Sequence, residues 1–305
     1  MVTDIGGLGD RSFNDGAYAG LQACKAQGGV QVQALQSKSA ADYQPNLTVL
    51  ATEGFDQIFA IGFLMNRDLT EVARRFPNRH FAIIDAVIDA PNVESVTFKE
   101  EDGSFLVGAL AALVSKRKAV AFLGGMDIPL VRKFEAGFAA GVRQIDPKAK
   151  VLVKYVGSFD DVAAGKELAG VLYDQGADVM FAAAGKSGLG AFALAKQRSN
   201  AYVIGVDADQ DGLAPGKVLT SMVKHVDRAV LRICREAVAH KSTGGHLVLG
   251  LAQNAVGLTD FHYTKALVGT ANIARVDAIR KAIVAGKIVP PTTREGLSTF
   301  TPVRL

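Results

Sequence analysis

Short, continuously apolar runs recur along the chain, each closing on glycine or aspartate and each followed by an amphipathic stretch. This pattern restricts the fold more than any other feature of the sequence. Gln57–Ile61 opens on Gly62-Phe63, Phe81–Ile84 ends on Asp85, and Ala119–Leu123 opens on Gly124-Gly125. Val151–Val156 opens on Gly157-Ser158-Phe159, Val179–Ala184 on Gly185-Lys186-Ser187-Gly188, and Tyr202–Val206 on Asp207. Runs this short and this apolar are strands buried on both faces, which requires a parallel sheet sandwiched between helices.

The intervening stretches supply those helices. Gly16–Gln27 carries Ala17, Leu21 and Cys24 on one face and stops at Gly28-Gly29. Helices are likewise predicted over Ala40–Thr52, from an Asn66 cap to about Pro77, and over Asp102–Ser115, Pro129–Gln144, Val162–Gln175 and Leu189–Arg198. Val30–Leu35 and Val93–Phe98 alternate and are predicted as further strands. The fold class is therefore α/β, with two successive series forming two doubly wound, Rossmann-like lobes. The rest is too short for a third lobe: Val218–Lys224, a helix over Asp227–His240, Leu247–Leu251, a helix over Asn272–Ala285 and Lys287–Pro291. It is predicted to cross between the first two and form a hinge. The expected division is 1–114 plus about 225–245 against 115–224 plus about 246–305, with a ligand cleft between the lobes. At 305 residues the chain suits two cores better than one.

Composition narrows the function. With 49% hydrophobic and 21% charged residues the chain is ordinary globular protein. The net charge of +4 is small, and the densest basic clusters, Arg74-Arg75 and Lys116–Lys118, fall at predicted helix ends, so nucleic acid is not an expected partner. No run approaches the ~18 apolar residues of a membrane span, and no basic-then-apolar signal segment precedes the first strand. Cys24 and Cys234 lie far apart in helical surroundings and are predicted to be buried free thiols.

The opening stretch MVTDIGGLGDRSFNDG reads as a strand end, Asp4, and a glycine-loaded turn that delivers Ser12-Phe13-Asn14 to the first helix. Ser12 with Asp15 three residues later has the form of a helix N-terminus. Enzyme signatures nearly match and fail. A P-loop ending in Gly185-Lys186-Ser187 needs glycine at Met180, and a dinucleotide fingerprint starting at Gly7-x-Gly9 needs glycine at Ser12. Ser187 is not in a nucleophile elbow, and the five histidines form no metal-ligand spacing. No enzyme activity, cofactor or metal is expected.

Strand carboxyl ends do gather a coherent set: Asp4, Phe13, Asn14, Asp85, Phe159, Gly185 and Asp207, with Lys224 ending a crossover strand. The phenylalanines offer faces for a flat ring, the carboxylates and lysine suit hydroxyls or ring N–H groups, and Gly185 lets a ligand approach the backbone. Taken singly, each aromatic fits plain core packing and each aspartate fits a helix cap. Their joint placement on both lobes points to a binding site.

The segments VTDIGGLGDRSFNDGAYAGL, VGSFDD, GKELA, GADVMFAAAGKSGLG, GVDADQDG, LTSMVKHVDRAV, GLTDF and GKIVPP resemble the basic membrane lipoprotein family, the PnrA-like purine-nucleoside receptors of bacterial ABC transporters. The resemblance covers nearly the whole chain. It implies a type I periplasmic-binding-protein fold with a nucleoside of guanosine, inosine or adenosine type held between the lobes. It also implies that Phe13 and Phe159 sandwich the base and that Asp207 and Lys224 hold the ribose hydroxyls. Asp4, Ser12, Asn14 and Asp85 supply further contacts, and Gly185 lines the pocket. The implied partner is a permease, and the implied location is outside the cytoplasmic membrane, on a lipid anchor whose cysteine this sequence does not carry. Lys186 stands where a small residue is common in the family, and Asp160 replaces a common asparagine.

Other readings remain at this stage. The same fold could take a free purine base or another small polar solute, or serve as the effector-sensing domain of a regulator, although no helix-turn-helix precedes the first strand. A nucleoside-processing enzyme lacks its catalytic groups here.

Overall fold

The computed structural model describes residues 1–304. Along the chain the elements are β1 (Val2–Thr3), α1 (Phe13–Ala26), β2 (Leu35–Gln36), α2 (Tyr43–Thr52), β3 (Gln57–Ile61), α3 (Asn66–Arg75), β4 (His80–Ile84) and β5 (Val93–Phe98). There follow α4 (Glu100–Val114), β6 (Ala119–Gly124), α5 (Pro129–Ile145), β7 (Lys150–Tyr155), α6 (Val162–Asp174), β8 (Val179–Ala183), α7 (Leu189–Gln197), β9 (Tyr202–Asp207) and β10 (Val218–Lys224). The chain ends with α8 (Val226–Val238), β11 (Gly245–Leu249), β12 (Val256–Leu258), α9 (Lys265–Val268), α10 (Thr270–Val284) and α11 (Arg294–Thr299).

Two sheets result. The first has the order β2-β1-β3-β4-β5-β11 with every pair parallel. The second runs β7-β6-β8-β9-β10-β12, parallel except for the antiparallel edge strand β12. In chain order the first five strands of each sheet share one topology, so β1 corresponds to β6, β4 to β9 and β5 to β10. Strands buried on both faces account for the unbroken apolar runs: β6 and β8 are buried at every residue.

The chain divides into two units, Met1–Phe98 with His225–Leu249, and Lys99–Lys224 with Gly250–Leu305. It therefore crosses from one to the other three times. Helix α4 belongs to the second unit, whereas the sequence-based boundary at 114 put it in the first. The reason is its packing on α5. A β-carbon at Gly108 would overlap the Phe138 carbonyl, one at Gly137 the Glu101 carbonyl, and one at Gly141 the Phe105 carbonyl. Glycines on both helices let the two backbones meet directly. Gly141→Ala is accordingly expected to lower the unfolding free energy by about 1–3 kcal/mol through overpacking, read as a lower urea midpoint; an unchanged midpoint would mean that the helices separate without cost.

The cysteines are not free thiols. Cys24 of α1 and Cys234 of α8 form a disulfide across 210 residues of sequence, with their Cα atoms 6.3 Å apart. Gly20 makes this possible, because a β-carbon there would overlap the Asp227 carbonyl on α8. Arg235 Nε also donates to Gln27 Oε1 at 3.1 Å on the same pair of helices.

Other expectations are also corrected. Of the predicted strand Val30–Leu35 only Leu35 pairs, in a two-residue β2 that runs on to Gln36, since β1 offers two residues as template. Residues 40–42 form a 3-10 turn ahead of α2. Asn66 does not cap α3; it lies inside the helix, and its amide donates to the Val87 carbonyl at 3.0 Å. Lys287–Pro291 is irregular, whereas β12, α9 and α11 were not foreseen.

Candidate functional site

In a doubly wound sheet, ligands bind beyond the strand carboxyl ends where the strand order reverses. That point lies between β1 and β3 in the first sheet and between β6 and β8 in the second.

In the first unit, β1 delivers Asp4 to this point, buried at 8% exposure. Asp4 Oδ1 accepts from the Gly6 amide at 2.9 Å and from Asn14 Nδ2 at 2.8 Å. A β-carbon at Gly62, just beyond β3, would lie 3.1 Å from Asp4 Oδ2, so this glycine leaves the carboxylate its room. Helix α1 begins at Phe13, which is half-buried, and Asn14, which is buried. The cap, however, is not made by Ser12, whose side chain does not cap the helix. Asp10 does that work: its carboxylate accepts from the backbone amides of Ser12 (2.9 Å), Asn14 (2.8 Å) and Asp15 (3.1 Å). Asp15 in turn accepts from the amides of Gly9 and Arg11 at 2.8 and 3.0 Å. Burial raises the Asp10 carboxyl above its ordinary value although these donors oppose it.

Asn14 is oriented by its neighbours. Its Nδ2 donates to both Asp4 and Asp10, the latter at 3.0 Å, which fixes the amide's direction because carboxylates only accept. Its Oδ1 is buried with no hydrogen-bond partner, an acceptor ready for a donor from outside the protein.

In the second unit, Phe159 follows β7 and is half-buried. Its ring lies on Gly125, where any β-carbon would collide with ring carbons. Gly185, at φ +54, faces the Phe159 carbonyl and β-carbon. Buried Ser187 ties the two loops together. Its amide donates to the Phe159 carbonyl at 3.1 Å, its hydroxyl donates to the Ser158 carbonyl at 3.0 Å, and its Oγ accepts from the Asp161 amide at 2.9 Å. Asp160 is exposed and accepts from the Ser158 hydroxyl, and Lys186 is half-buried.

Asp85 and Asp207 end the corresponding strands β4 and β9, and both adopt left-handed backbone, at φ +71 and +64. A non-glycine residue there costs about 1 kcal/mol or more, a strain that concentrates at functional sites. The Asp207 turn is pinned from behind: Gln210 Oε1 accepts from the Val206 amide at 2.8 Å, and the Gln210 amide donates to Ser221 Oγ at 3.0 Å. Lys224 ends β10 and is buried. Its ammonium lies 3.9 Å from Asp207 Oδ1, 3.7 Å from Glu100 Oε1 and 5.5 Å from the centre of the Phe134 ring.

Thus Asp4, Phe13, Asn14 and Asp85 lie at the carboxyl end of the first sheet, with Ser12 in the same turn. Phe159, Gly185, Asp207 and Lys224 lie at that of the second. Sequence reasoning missed Asp10, Gly62, Gly125, Ser187 and Glu100. The last had a signal, the acidic triplet Glu100-Glu101-Asp102 ahead of an apolar helix. Among the described residues no group of side chains could hold a metal ion, and no helix is long and apolar enough to cross a membrane.

The acidic triplet carries a pH dependence. Burial, reinforced by Glu101, pushes the Asp102 carboxyl from 3.8 up to about 6. A carboxyl that holds its proton more tightly when folded removes stability as pH rises from the unfolded value to the folded one. Asp102→Asn should therefore gain stability relative to the parent between about pH 4 and about pH 7 in urea titrations, whereas a constant difference would contradict the shift.

Residues 1–292 match the family described as ABC transporter substrate-binding protein PnrA-like. The chain belongs to this family. The CD4+ T-cell-stimulating antigen of Listeria monocytogenes is 38% identical over 95% of this chain and 87% of that protein. The ABC transporter nucleoside-binding protein BmpA of Lactococcus lactis is 35% identical over 96% of this chain and 88% of its own length. A solute-binding protein of an ABC transporter system from Aeropyrum pernix superposes with a TM-score of 0.88 at 27% identity, covering 98% of this chain and 95% of the other. The protein is a solute-binding receptor of an ABC transporter with the type I periplasmic-binding-protein fold, and it is not an enzyme. A small ligand and a permease are its partners.

Proposed function

We propose that the receptor binds a purine nucleoside, with the base against Phe13 and Phe159 and the ribose hydroxyls at Asp207 and Lys224. The observation that carries this reading is the second unit's cradle, in which an aromatic face held on Gly125 and Gly185 accompanies a buried lysine–aspartate pair. A flat heterocycle joined to a polyol needs that combination. Asp4, Ser12, Asn14 and Asp85 take the remaining polar edge of the ligand. The orphaned Asn14 Oδ1 suits a ring N–H or amino group, and Gly185 leaves room beside Phe159. The name of the Lactococcus relative supports the same ligand class.

Stacking contributes about 0.5–1.5 kcal/mol per aromatic contact beyond area burial, and hydrogen bonds to charged groups about 1.5–3 kcal/mol each. After the cost of ordering the ligand, dissociation constants in the micromolar to nanomolar range are within reach, about 8–12 kcal/mol. The receptor works outside the cytoplasm, a location supported by its family and by a disulfide of the kind that persists in oxidising compartments.

Thermal melting of ligand-stripped protein with guanosine, inosine, adenosine, their free bases and ribose tests the reading. Nucleosides should raise the midpoint with concentration, free bases less, and ribose not at all. Equal shifts by base and nucleoside would favour a base receptor, and uniformly flat curves would remove purines altogether.

A further inference from the structure

We propose that Arg294 is a positioning residue for the aromatic wall of the ligand site, its one guanidinium bolting together the two loops on which the Phe159 ring is seated. The proposal rests on the reading of Phe159 as a face for the base and names the side chain that holds that face in place.

Two neighbouring glycines at the end of β6 each carry one ring. A β-carbon at Gly124 would lie 2.5 Å from a Tyr155 ring carbon, and one at Gly125 would lie 2.3 Å from ring carbons of Phe159. Tyr155 ends β7 opposite Gly124, and the chain then runs on into the Phe159 loop. The Val156 and Gly157 amides donate to the Gly124 and Gly125 carbonyls at 2.9 and 2.8 Å. The seat is thus built from two segments, the loop after β6 and the loop after β7.

Arg294, on α11, reaches both. Its Nε and Nη2 donate to the two oxygens of Glu135 on α5 at 2.9 and 2.7 Å, a bidentate grip. The Tyr155 hydroxyl donates to Glu135 Oε2, and the guanidinium carbon lies 5.7 Å from the centre of the Tyr155 ring. Burial, with the Glu135 bond behind it, pushes the Tyr155 hydroxyl above its ordinary range, so it remains a donor. Arg294 Nη2 also lies 3.3 Å from Oδ1 of Asp127, two residues after Gly125, and Arg132 Nε donates to the same oxygen at 2.7 Å.

An exposed ion pair by itself contributes little to stability. Here the carboxylate is buried, the grip is two-pronged, and the partners belong to the segments that carry Phe159. Helix α11 does not depend on this contact for its docking. The Gln144 side chain exchanges hydrogen bonds with the Val303 backbone at 2.6 and 2.9 Å, and the Phe300 ring meets Phe105 edge-on at 5.6 Å. Loss of the guanidinium therefore leaves α11 in place and loosens the seat. A base stacked on Phe159 is weakened alike with or without its sugar, because Arg294 acts through Tyr155 and Asp127.

The experiment uses the full chain with Arg294→Gln, Arg294→Lys, Tyr155→Phe and the double variant of Arg294→Gln with Tyr155→Phe. Guanosine and guanine are titrated by calorimetry, and amide exchange is followed without ligand. Arg294→Gln should weaken both compounds to the same degree, about three- to thirtyfold. The Val156 and Gly157 amides should exchange faster, and those of β9 should not. Arg294→Lys should recover part of the loss, because a point charge still pairs with Glu135 but cannot fork to it. The double variant should lose less than the product of the single losses. Unchanged affinity and exchange alongside a lower urea midpoint would make Arg294 merely structural and overturn the proposal, as would losses that multiply or fall on guanosine alone. If the parent binds neither compound, the nucleoside reading fails, while exchange at Val156 and Gly157 still decides whether Arg294 holds the seat. If Arg294→Gln does not fold, Tyr155→Phe must show the faster exchange and the shared loss, and its absence there would contradict positioning.

Discussion

Alanine in place of Asp207 is expected to weaken nucleoside binding by about 10- to 150-fold, from the ~1.5–3 kcal/mol of hydrogen bonds to a charged group, while changing free-base binding by about twofold or less. Two effects combine. The carboxylate that would accept from the ribose is removed, and buried Lys224 loses a carboxylate 3.9 Å from its ammonium. Position 207 also sits at φ +64, a conformation alanine resists, so the turn before Gln210 is strained by the change. Asp207→Asn is the cleaner comparison, because asparagine tolerates left-handed backbone. It should retain the fold and still show the selective loss. Calorimetry with a matched nucleoside and base reads the result directly. Equal losses for the two ligands would contradict the assignment of Asp207 to the sugar.

Removal of the disulfide has the largest expected effect on stability. Closing a loop of 210 residues restricts the unfolded chain by about 5 kcal/mol in the loop-entropy relation, and loss of native disulfides commonly costs about 2–5 kcal/mol. Cys24→Ser combined with Cys234→Ser should therefore lower the thermal midpoint by many degrees, and reductant should do the same to the parent. The bond pins α1, whose first residues are Phe13 and Asn14, to α8. Amide exchange in α1 should accordingly quicken more than in α4 and α5, which the disulfide does not touch. A midpoint insensitive to both reductant and the double substitution would show that the two helices are held by packing alone.

The architecture was legible because its signals are local. QIFAI, AVAFL and VMFAA announce parallel strands by lacking polar alternation, and a glycine or aspartate marks each carboxyl end. The strand-end placement of the candidate site residues shares that legibility: Asp4, Asp85, Gly185 and Asp207 each follow or end a strand, and such positions lie at the carboxyl edge of a parallel sheet. What could not be read depends on contacts distant in sequence. Cys24 and Cys234 looked like separate core thiols because nothing near either one records that Gly20 allows α1 to touch α8. Helix α4 looked like the end of the first lobe because its partner α5 begins after the next strand, and the glycines that mate them are scattered through both helices. Glu100 gains meaning only from Lys133 and Lys224, which lie far along the chain. The cap of α1 was misassigned for a smaller reason. Asp10 and Ser12 are both good caps, and the left-handed turn at Arg11 that swings the Asp10 carboxylate over the helix amides has no sequence mark of its own.

A crystal structure of the receptor soaked or grown with guanosine tests the central claim most directly. The account predicts one nucleoside whose base contacts both Phe13 and Phe159, whose ribose hydroxyls bond to Asp207 and Lys224, and whose polar edge meets Asn14 Oδ1. A ligand stacked on neither ring, or one whose ribose points to solvent away from Asp207 and Lys224, would contradict it.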